Sequence, residues 1–248
     1  PKNYKDEYLG EVSVKDAFSK SINTVAVKIS EDIGREKVIK MAELMGIDSP
    51  ILNSPSLALG TSEVNLLELT AAYDVLANNG NGVFVHGIRS IENTQGKNLF
   101  IRKVQGPGKI LDSKVVRTMT QMMEETIRNG TGRQAKINRP AAGKTGTSQS
   151  LRDAWFVGFT SSIVVGVWFG NDDDSPMIKI TGGTAPASLW KDFMEKAHIN
   201  IQPRGLNYGN QEDINSSERT RKKIQRILQK SREKKEKNVF ESILDNFF

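Results

Sequence analysis

The chain has 248 residues, 37% of them hydrophobic and 26% charged, which is typical of a globular protein with a polar appendage. It has no cysteine and only two histidines, His86 and His198, which excludes disulfides and thiolate catalysis and argues against a histidine triad or a multi-histidine metal site. The net charge of +6 is concentrated in residues 218–237, where ten Lys or Arg face three Glu, so the near-neutral remainder gives no indication of nucleic-acid binding.

Helical spacing of apolar residues dominates the beginning of the chain. Ser13, with Asp16 three positions later, resembles a capping box and predicts the start of a short helix that breaks at residues 21–23. Asn65 is a suitable N-cap for a later helix. Further helices are therefore predicted over residues 24–33, 35–45 and 65–77, ended by Gly34, Gly46 and residues 78–80.

The spacing then alternates between that of strands and that of helices. Two strands with a polar turn between them, a long helix, a flexible Gly-Thr-Gly loop, three adjacent strands and a last helix follow in that order. Their predicted ranges are residues 83–91, 98–104, 113–128, 130–132, 141–148, 154–160, 163–170 and 185–196. We expect the last helix to pack through Leu189, Phe193 and Met194, and we expect Trp155, Trp168 and Trp190 to lie in the core.

This order of elements predicts an α+β fold in which helices pack against an antiparallel sheet. We expect one domain over residues 1–200, followed by a linker and a basic tail over residues 201–248. The basic residues and thin apolar stripes of the tail would suit an anionic membrane surface or a partner protein, but a solvated extension is the simpler interpretation.

The strongest chemical signal is the sequence Lys-Thr-Gly-Thr at residues 144–147, at the head of a predicted strand. A three-residue match is weak alone, but a Ser-x-Asn triplet lies far upstream, from Ser21 to Asn23, in a predicted helix–helix loop. Penicillin-binding proteins and β-lactamases combine these two triplets with a Ser-x-x-Lys that carries the nucleophile.

The residue types suit acyl transfer on a peptide that ends in a free carboxylate. Lys144 and a threonine hydroxyl on an exposed strand edge can hold that carboxylate, and Gly146 leaves room for close backbone approach. Asn23 can bond the substrate amide, and Ser21 can relay a proton to the leaving amine. A backbone N–H at Thr147 can face the scissile carbonyl oxygen. The predicted catalytic residues are therefore Ser21, Asn23 and Lys144, and the predicted substrate-binding residues are Thr145, Gly146 and Thr147.

Longer runs around the triplets resemble the transpeptidase domain of class A penicillin-binding proteins. They are RDAWFVGFT at residues 152–160 and VGVWFGNDD at residues 165–173, which resemble the two strands after Lys-Thr-Gly, together with VKDAFSKSINTVAV at 14–27, GTGRQA at 130–135 and GGTAPA at 182–187. The resemblance extends over roughly residues 1–198.

The resemblance implies a sheet flanked by helices, an all-helical subdomain that holds Ser-x-Asn, and D,D-transpeptidation of peptidoglycan stem peptides. It also implies acylation by β-lactams, with no cofactor. In full-length class A members a membrane anchor and a glycosyltransferase domain come first, so the resemblance implies a protein at the periplasmic face of the bacterial inner membrane.

The sequence departs from the family at the nucleophile. Ser-x-x-Lys should lie several tens of residues before Ser21, and only twenty residues precede it. The two matches elsewhere, at residues 188–191 in the last helix and 231–234 in the tail, occur in the wrong contexts. We therefore expect an N-terminally truncated transpeptidase domain that depends on the preceding part of the same protein and is inactive and poorly folded alone.

Two hypotheses stay open from the sequence. The chain is either a portion of a peptidoglycan transpeptidase, or a non-catalytic fragment or complementing substrate-binding module of a split one. We expect no metal site, because three consecutive aspartates at residues 172–174 are more typical of a turn.

Overall fold

The computed structural model describes residues 1–103 and 106–206. The α-helices in this part of the chain are α1 (Val14–Ser19), α2 (Asn23–Ile33), α3 (Arg35–Leu44), α4 (Leu66–Ala77), α5 (Ser113–Arg128) and α6 (Ala185–Ala197). The strands are β1 (Asn81–Gly82), β2 (Ser90–Glu92), β3 (Asn98–Ile101), β4 (Gly108–Lys109), β5 (Ala142–Thr147), β6 (Asp153–Phe159) and β7 (Val164–Gly170). The predicted basic segment at 218–237 and all but the first six residues of the predicted linker lie outside the described residues.

An antiparallel sheet in the order β5-β6-β7 forms the centre of the fold. Lys144 lies opposite Val157, which lies opposite Gly166, so the register runs through all three strands. Phe156 and Phe159 of β6 point to opposite faces because they are an odd number of positions apart. Both are fully buried, so the sheet is covered on both faces.

Different helices cover the two faces. On one face Phe159 packs with residues of α4 and α5, among them Val75 and Met123. On the other face Phe156 packs edge-on against Trp190 of α6, with 5.3 Å between the ring centroids. This arrangement confirms the predicted α+β fold with helices flanking an antiparallel sheet.

The first three helices pack in sequence, α1 against α2 and α2 against α3. Helix α1 packs against α5, and α2 packs against α3 and the 3-10 turn Pro55–Leu59. The predicted caps are confirmed: Ser13 Oγ accepts from the Asp16 N–H (3.1 Å), and Asn65 Oδ1 accepts from the Glu68 N–H (2.9 Å).

The predicted strand over residues 83–91 is wrong for most of its length. Only its last two residues pair, as part of β2 with β3. Phe84, Val85 and Ile88 are each more than half exposed. The segment is apolar enough for a strand, but no strand of the described residues lies beside it to form a ladder. For the other predicted strand of this pair, β3 ends at Ile101, and residue 104 lies outside the described part.

Some predicted core side chains lie on the surface instead. Trp168 is 42% exposed, and Leu189 and Phe193 are about half exposed. Trp168 lies on the outer side of β7, where its ring packs against Trp155 at 6.2 Å. Trp190 is fully buried, as predicted.

Candidate active site

Ser21 lies at the end of α1 in a backbone conformation that favours glycine. The helix ends in a Schellman motif, in which the Ser21 N–H donates to the Phe18 carbonyl (3.1 Å) and the Ile22 N–H donates to the Ala17 carbonyl (2.9 Å). This motif holds Ser21 at φ +54°. A residue with a Cβ adopts that conformation at a cost of about 1–2 kcal/mol, and such strain occurs preferentially at functional sites.

Lys144 meets Ser21 across the gap between sheet and helices. Its Nζ donates to Ser21 Oγ and also to the Thr145 carbonyl oxygen (3.0 Å). Nζ also lies 5.7 Å from the centre of the Phe18 ring, at the end of α1. The structure therefore brings the Ser-x-Asn and Lys-Thr-Gly triplets into direct contact.

Burial lowers the pKa of Lys144 from 10.5 to about 8 because the charged form loses hydration. A lysine with this pKa is partly neutral near physiological pH, and can therefore accept a proton as well as donate one. Since its partner is a serine hydroxyl, the pair is suited to proton transfer. The protonated form also supplies a positive charge that attracts a substrate carboxylate.

Asn23 is the first residue of α2, next to the pair but without a hydrogen bond to either member among the described residues. Its Nδ2 donates to the Lys2 carbonyl (2.9 Å), and the neighbouring Thr24 N–H donates to Asn3 Oδ1 (3.0 Å). Residues 2 and 3 thus hold the start of α2 in place. One N–H and the side-chain oxygen of Asn23 make no hydrogen bond within the described residues, so they are available to a ligand amide.

Strand β5 carries Lys144 at the edge of the sheet. One edge of β5 pairs with β6, and no strand pairs with its other edge within residues 1–103 and 106–206. Gly146 lies opposite Trp155, and a Cβ at position 146 would lie 3.2 Å from the Trp155 Cβ. The free edge agrees with the predicted use of β5 as a surface for an extended peptide.

The remaining threonines of the motif contact two segments that resemble the family but to which the sequence assigned no role in the site. Thr145 Oγ1 lies 2.6 Å from Thr131 Oγ1. Thr147 Oγ1 accepts from the Gly182 N–H (3.0 Å), so the loop before α6 lies directly against β5. A Cβ at Gly182 would collide with the backbone of Gly146 and Trp155, and this close approach requires glycine.

The Gly-Thr-Gly segment at 130–132 is not the flexible loop that its composition predicts. Gly130 and Gly132 are buried, and the Thr131 N–H donates to the Ser19 carbonyl (3.0 Å). Thr131 could have been identified as a candidate site residue because its hydroxyl is flanked by two glycines, and glycines permit close contact between backbone segments. Sequence reasoning assigned the glycines to flexibility instead.

Of the two alternative Ser-x-x-Lys matches, the one in the described residues forms no serine–lysine pair. Ser188 donates to Gln134 Oε1 (2.8 Å), and Lys191 Nζ lies 3.9 Å from Glu195 Oε1. The other match begins at Ser231, outside the described residues.

The three aspartates at 172–174 form a turn, as predicted. Asp173 Oδ1 accepts from the Ser175 N–H (3.0 Å), and Asp174 pairs with Arg152 at 2.8 Å. Within the described residues no group of three His, Cys, Asp or Glu side chains could hold a metal ion. In the same part of the chain, no helix has the length and apolar character needed to cross a membrane.

Known proteins share this fold and sequence pattern. The family described as "Penicillin binding protein transpeptidase domain" matches residues 2–195. Penicillin-binding protein 1A of Aquifex aeolicus is 38% identical over 197 residues, which cover 79% of this chain and 27% of that protein. The chain spans about a quarter of the length of the curated relatives that it matches.

Solved structures agree with the fold. Penicillin-binding protein 1A from Haemophilus influenzae superposes with a TM-score of 0.76 at 23% identity, over 83% of this chain and 37% of that one. The PonA1 protein from Mycobacterium tuberculosis, solved in complex with penicillin V, gives 0.75 at 23% identity, over 83% of this chain and 61% of that one. The family match over most of its length shows that this chain belongs to the transpeptidase-domain family of penicillin-binding proteins, with the class A proteins 1A and 1B among its relatives.

Proposed function

We propose that this chain forms the Ser-x-Asn and Lys-Thr-Gly part of the active site of a peptidoglycan D,D-transpeptidase that works through a serine acyl-enzyme and is acylated by β-lactams. The observation that carries the proposal is the hydrogen bond from Lys144 to Ser21, which joins two motifs 123 positions apart. The lowered pKa of Lys144 supports it, because such shifts are concentrated at functional sites, and the strained backbone of Ser21 is consistent with it.

The proposed nucleophile is the serine of a Ser-x-x-Lys that precedes Pro1 in the same protein. Its oxygen attacks the carbonyl carbon of the penultimate D-Ala, and the bond to the terminal D-Ala nitrogen breaks. The proton lost by the nucleophile reaches the leaving amine through Ser21 and Lys144. An amine of a neighbouring stem peptide then attacks the acyl-enzyme ester, and its proton returns to the serine oxygen.

The substrate lies along β5 in this proposal. Lys144 and Thr145 bind the terminal carboxylate, and Gly146 permits close approach of the peptide backbone. The N–H of Thr147 stabilises the oxyanion, a contribution typically worth about 10²–10³ in rate. Asn23 bonds the substrate amide through the side-chain atoms that no described residue occupies.

The relatives suggest a wider setting for the protein. We propose that residues 1–200 are part of a transpeptidase domain and that residues 201–248 are a linker and a basic tail. The complete protein would also carry a membrane anchor and a peptidoglycan glycosyltransferase domain, and would act at the periplasmic face of the inner membrane. Its partners would be stem peptides and β-lactams, and this chain without the nucleophile would be inactive.

Labelling by a fluorescent penicillin on a denaturing gel tests the proposal. This chain and a form extended upstream through Ser-x-x-Lys are compared side by side, each with Lys144→Met and, as a matched control, Lys191→Met on α6. We expect label only on the extended protein, strongly reduced by Lys144→Met and unchanged by Lys191→Met.

Two other labelling results would change the proposal. Label on this chain alone would show that a serine within it is reactive, and Ser188 would be substituted next. Absence of label from the extended protein would refute the enzymatic proposal and favour the non-catalytic fragment or complementing module.

A further inference from the structure

The turn at Gly130–Thr131–Gly132, which we call the threonine turn, contacts both catalytic motifs. The Thr131 N–H donates to the carbonyl of Ser19, two positions before Ser21. The Thr131 hydroxyl lies 2.6 Å from the hydroxyl of Thr145, the residue after Lys144. One residue is thus bound to both partners of the Ser21–Lys144 pair through their near neighbours.

The backbone of the threonine turn is held tightly although the Thr131 side chain is exposed. A Cβ at Gly130 would collide with the Ser19 carbonyl oxygen and would lie 2.7 Å from the Thr126 Cα. A Cβ at Gly183, in the loop before α6, would collide with the Thr131 carbonyl oxygen. Thr131 is therefore enclosed by backbone from two sides, which fixes its main chain beside Thr145.

A further contact anchors α1 against α5 beside the turn. Glu125 accepts from Asn129 Nδ2 (2.6 Å) and forms an ion pair with Lys15 of α1 at 3.4 Å. The carboxylate of Glu125 is mostly buried, and these contacts lower its pKa, so it stays ionised at neutral pH. The last turn of α5 is thus linked to the first turn of α1.

The direction of the hydroxyl–hydroxyl bond decides what Thr145 can do. Each hydroxyl has one proton to donate. If Thr145 donates to Thr131, the acceptor for the Thr131 proton among the described residues is the Ser19 carbonyl, at a long 3.5 Å. If Thr131 donates to Thr145, the Thr145 proton is free for a ligand. Because a carboxylate can only accept hydrogen bonds, it selects the second arrangement.

We propose that Thr131 is a positioning residue for carboxylate recognition: its hydroxyl donates to Thr145 and thereby directs the Thr145 proton toward the terminal carboxylate of the substrate. This inference rests on the proposed transpeptidase function and assigns to it a residue outside the Ser-x-Asn and Lys-Thr-Gly motifs. Loss of the Thr131 hydroxyl would leave Thr145 free to turn its proton elsewhere.

The test uses Thr131→Val, which keeps the shape and removes the hydroxyl, and Thr131→Ser, which keeps the hydroxyl. Thr118→Val is the matched control, because in the described part of the chain the Thr118 hydroxyl bonds only the Lys114 carbonyl of its own helix. In the upstream-extended protein, the second-order rate constant of acylation is measured with benzylpenicillin and with its uncharged methyl ester. Thermal unfolding of all variants is measured in parallel.

We expect Thr131→Val to slow acylation by benzylpenicillin roughly 5- to 30-fold, the effect of one or two kcal/mol. Acylation by the methyl ester should change less than about 2-fold, and Thr131→Ser and Thr118→Val should behave like the unsubstituted protein with both compounds. An equal loss with both compounds would show a structural role only and overturn the inference, as would an unchanged rate with benzylpenicillin.

A protein that no β-lactam acylates would refute the proposed function, and binding then decides the inference. Equilibrium binding of N-acetyl-D-Ala-D-Ala is compared with that of its C-terminal amide. A preference for the carboxylate that Thr131→Val abolishes and Thr131→Ser retains supports the role of Thr131. The same preference in all three proteins, or none in any, overturns it.

Discussion

Replacement of Ser21 by glycine or by alanine separates the catalytic use of its hydroxyl from the backbone strain that its position imposes. Both variants lose the hydroxyl and its contact with Lys144. They differ only in the Cβ, which alanine keeps at φ +54°. The difference in stability between them therefore measures the strain at this residue.

The magnitude follows from two opposing effects. A Cβ in the left-handed conformation costs about 1–2 kcal/mol. Glycine avoids this cost, but it also destabilises the folded state relative to alanine by about 0.4–1 kcal/mol, because its unfolded chain has more conformations to lose. We expect the glycine variant to be more stable than the alanine variant by roughly 0.5–1 kcal/mol. For a unit of about 200 residues this is a difference in melting temperature of roughly 1–4 °C.

The assay is reversible unfolding by denaturant, in this chain or in the upstream-extended protein, whichever unfolds cooperatively. Penicillin labelling of the extended forms accompanies it, and we expect both variants to label poorly. Equal stabilities, or a more stable alanine variant, would show that Ser21 is not strained as the Schellman motif requires. Normal labelling of either variant would show that the Ser21 hydroxyl takes no part in acylation.

Two further perturbations test the surroundings of this pair. Because burial lowers the pKa of Lys144 to about 8, the folded state binds fewer protons than the unfolded state between about pH 8 and 10.5. The free energy of unfolding should therefore rise with pH across that window, by at most about 3 kcal/mol. Lys144→Met should abolish this rise. An unchanged pH dependence in Lys144→Met would contradict the lowered pKa of Lys144. Gly182→Ala should lower the free energy of unfolding by about 1–3 kcal/mol, because the added Cβ collides with the backbone of β5 and β6. Gly87→Ala is the control: nothing lies within 4 Å of its added Cβ, so its free energy of unfolding should change by less than about 0.5 kcal/mol. Equal effects of the two substitutions in denaturant unfolding would contradict the close packing of the loop before α6.

Elements whose signals are local could be predicted from the sequence. Ser13 and Asn65 cap their helices through backbone N–H groups three residues away, and such contacts depend on few neighbours. The strands β5, β6 and β7 were also predictable, because short β-branched or aromatic segments separated by turns pair readily with their neighbours in sequence.

Features that depend on distant neighbours could not be predicted in the same way. Residues 83–89 have the composition of a strand, but pairing needs a partner, and apolar composition does not say whether one is present. Trp168 has the large apolar side chain of a typical core residue, yet its face of β7 is only partly covered. The role of the threonine turn depends on Ser19, 112 positions away, and on Thr145, and no local pattern contains both.

Ser21 and Lys144, the two residues proposed for proton transfer, each occupy a local environment that is unfavourable for their residue type. The end of α1 would be more stable with glycine at position 21, and the partly buried position of Lys144 would be more stable without a charge. Each departure is tolerated because the other residue offers a hydrogen bond and because the threonine turn fixes the segments that carry them. Two locally unfavourable choices that meet in one contact are better explained by a shared chemical role than by packing. For this reason the contact between Ser21 and Lys144 supports the proposed role in acyl transfer more strongly than the presence of the two motifs in the sequence does.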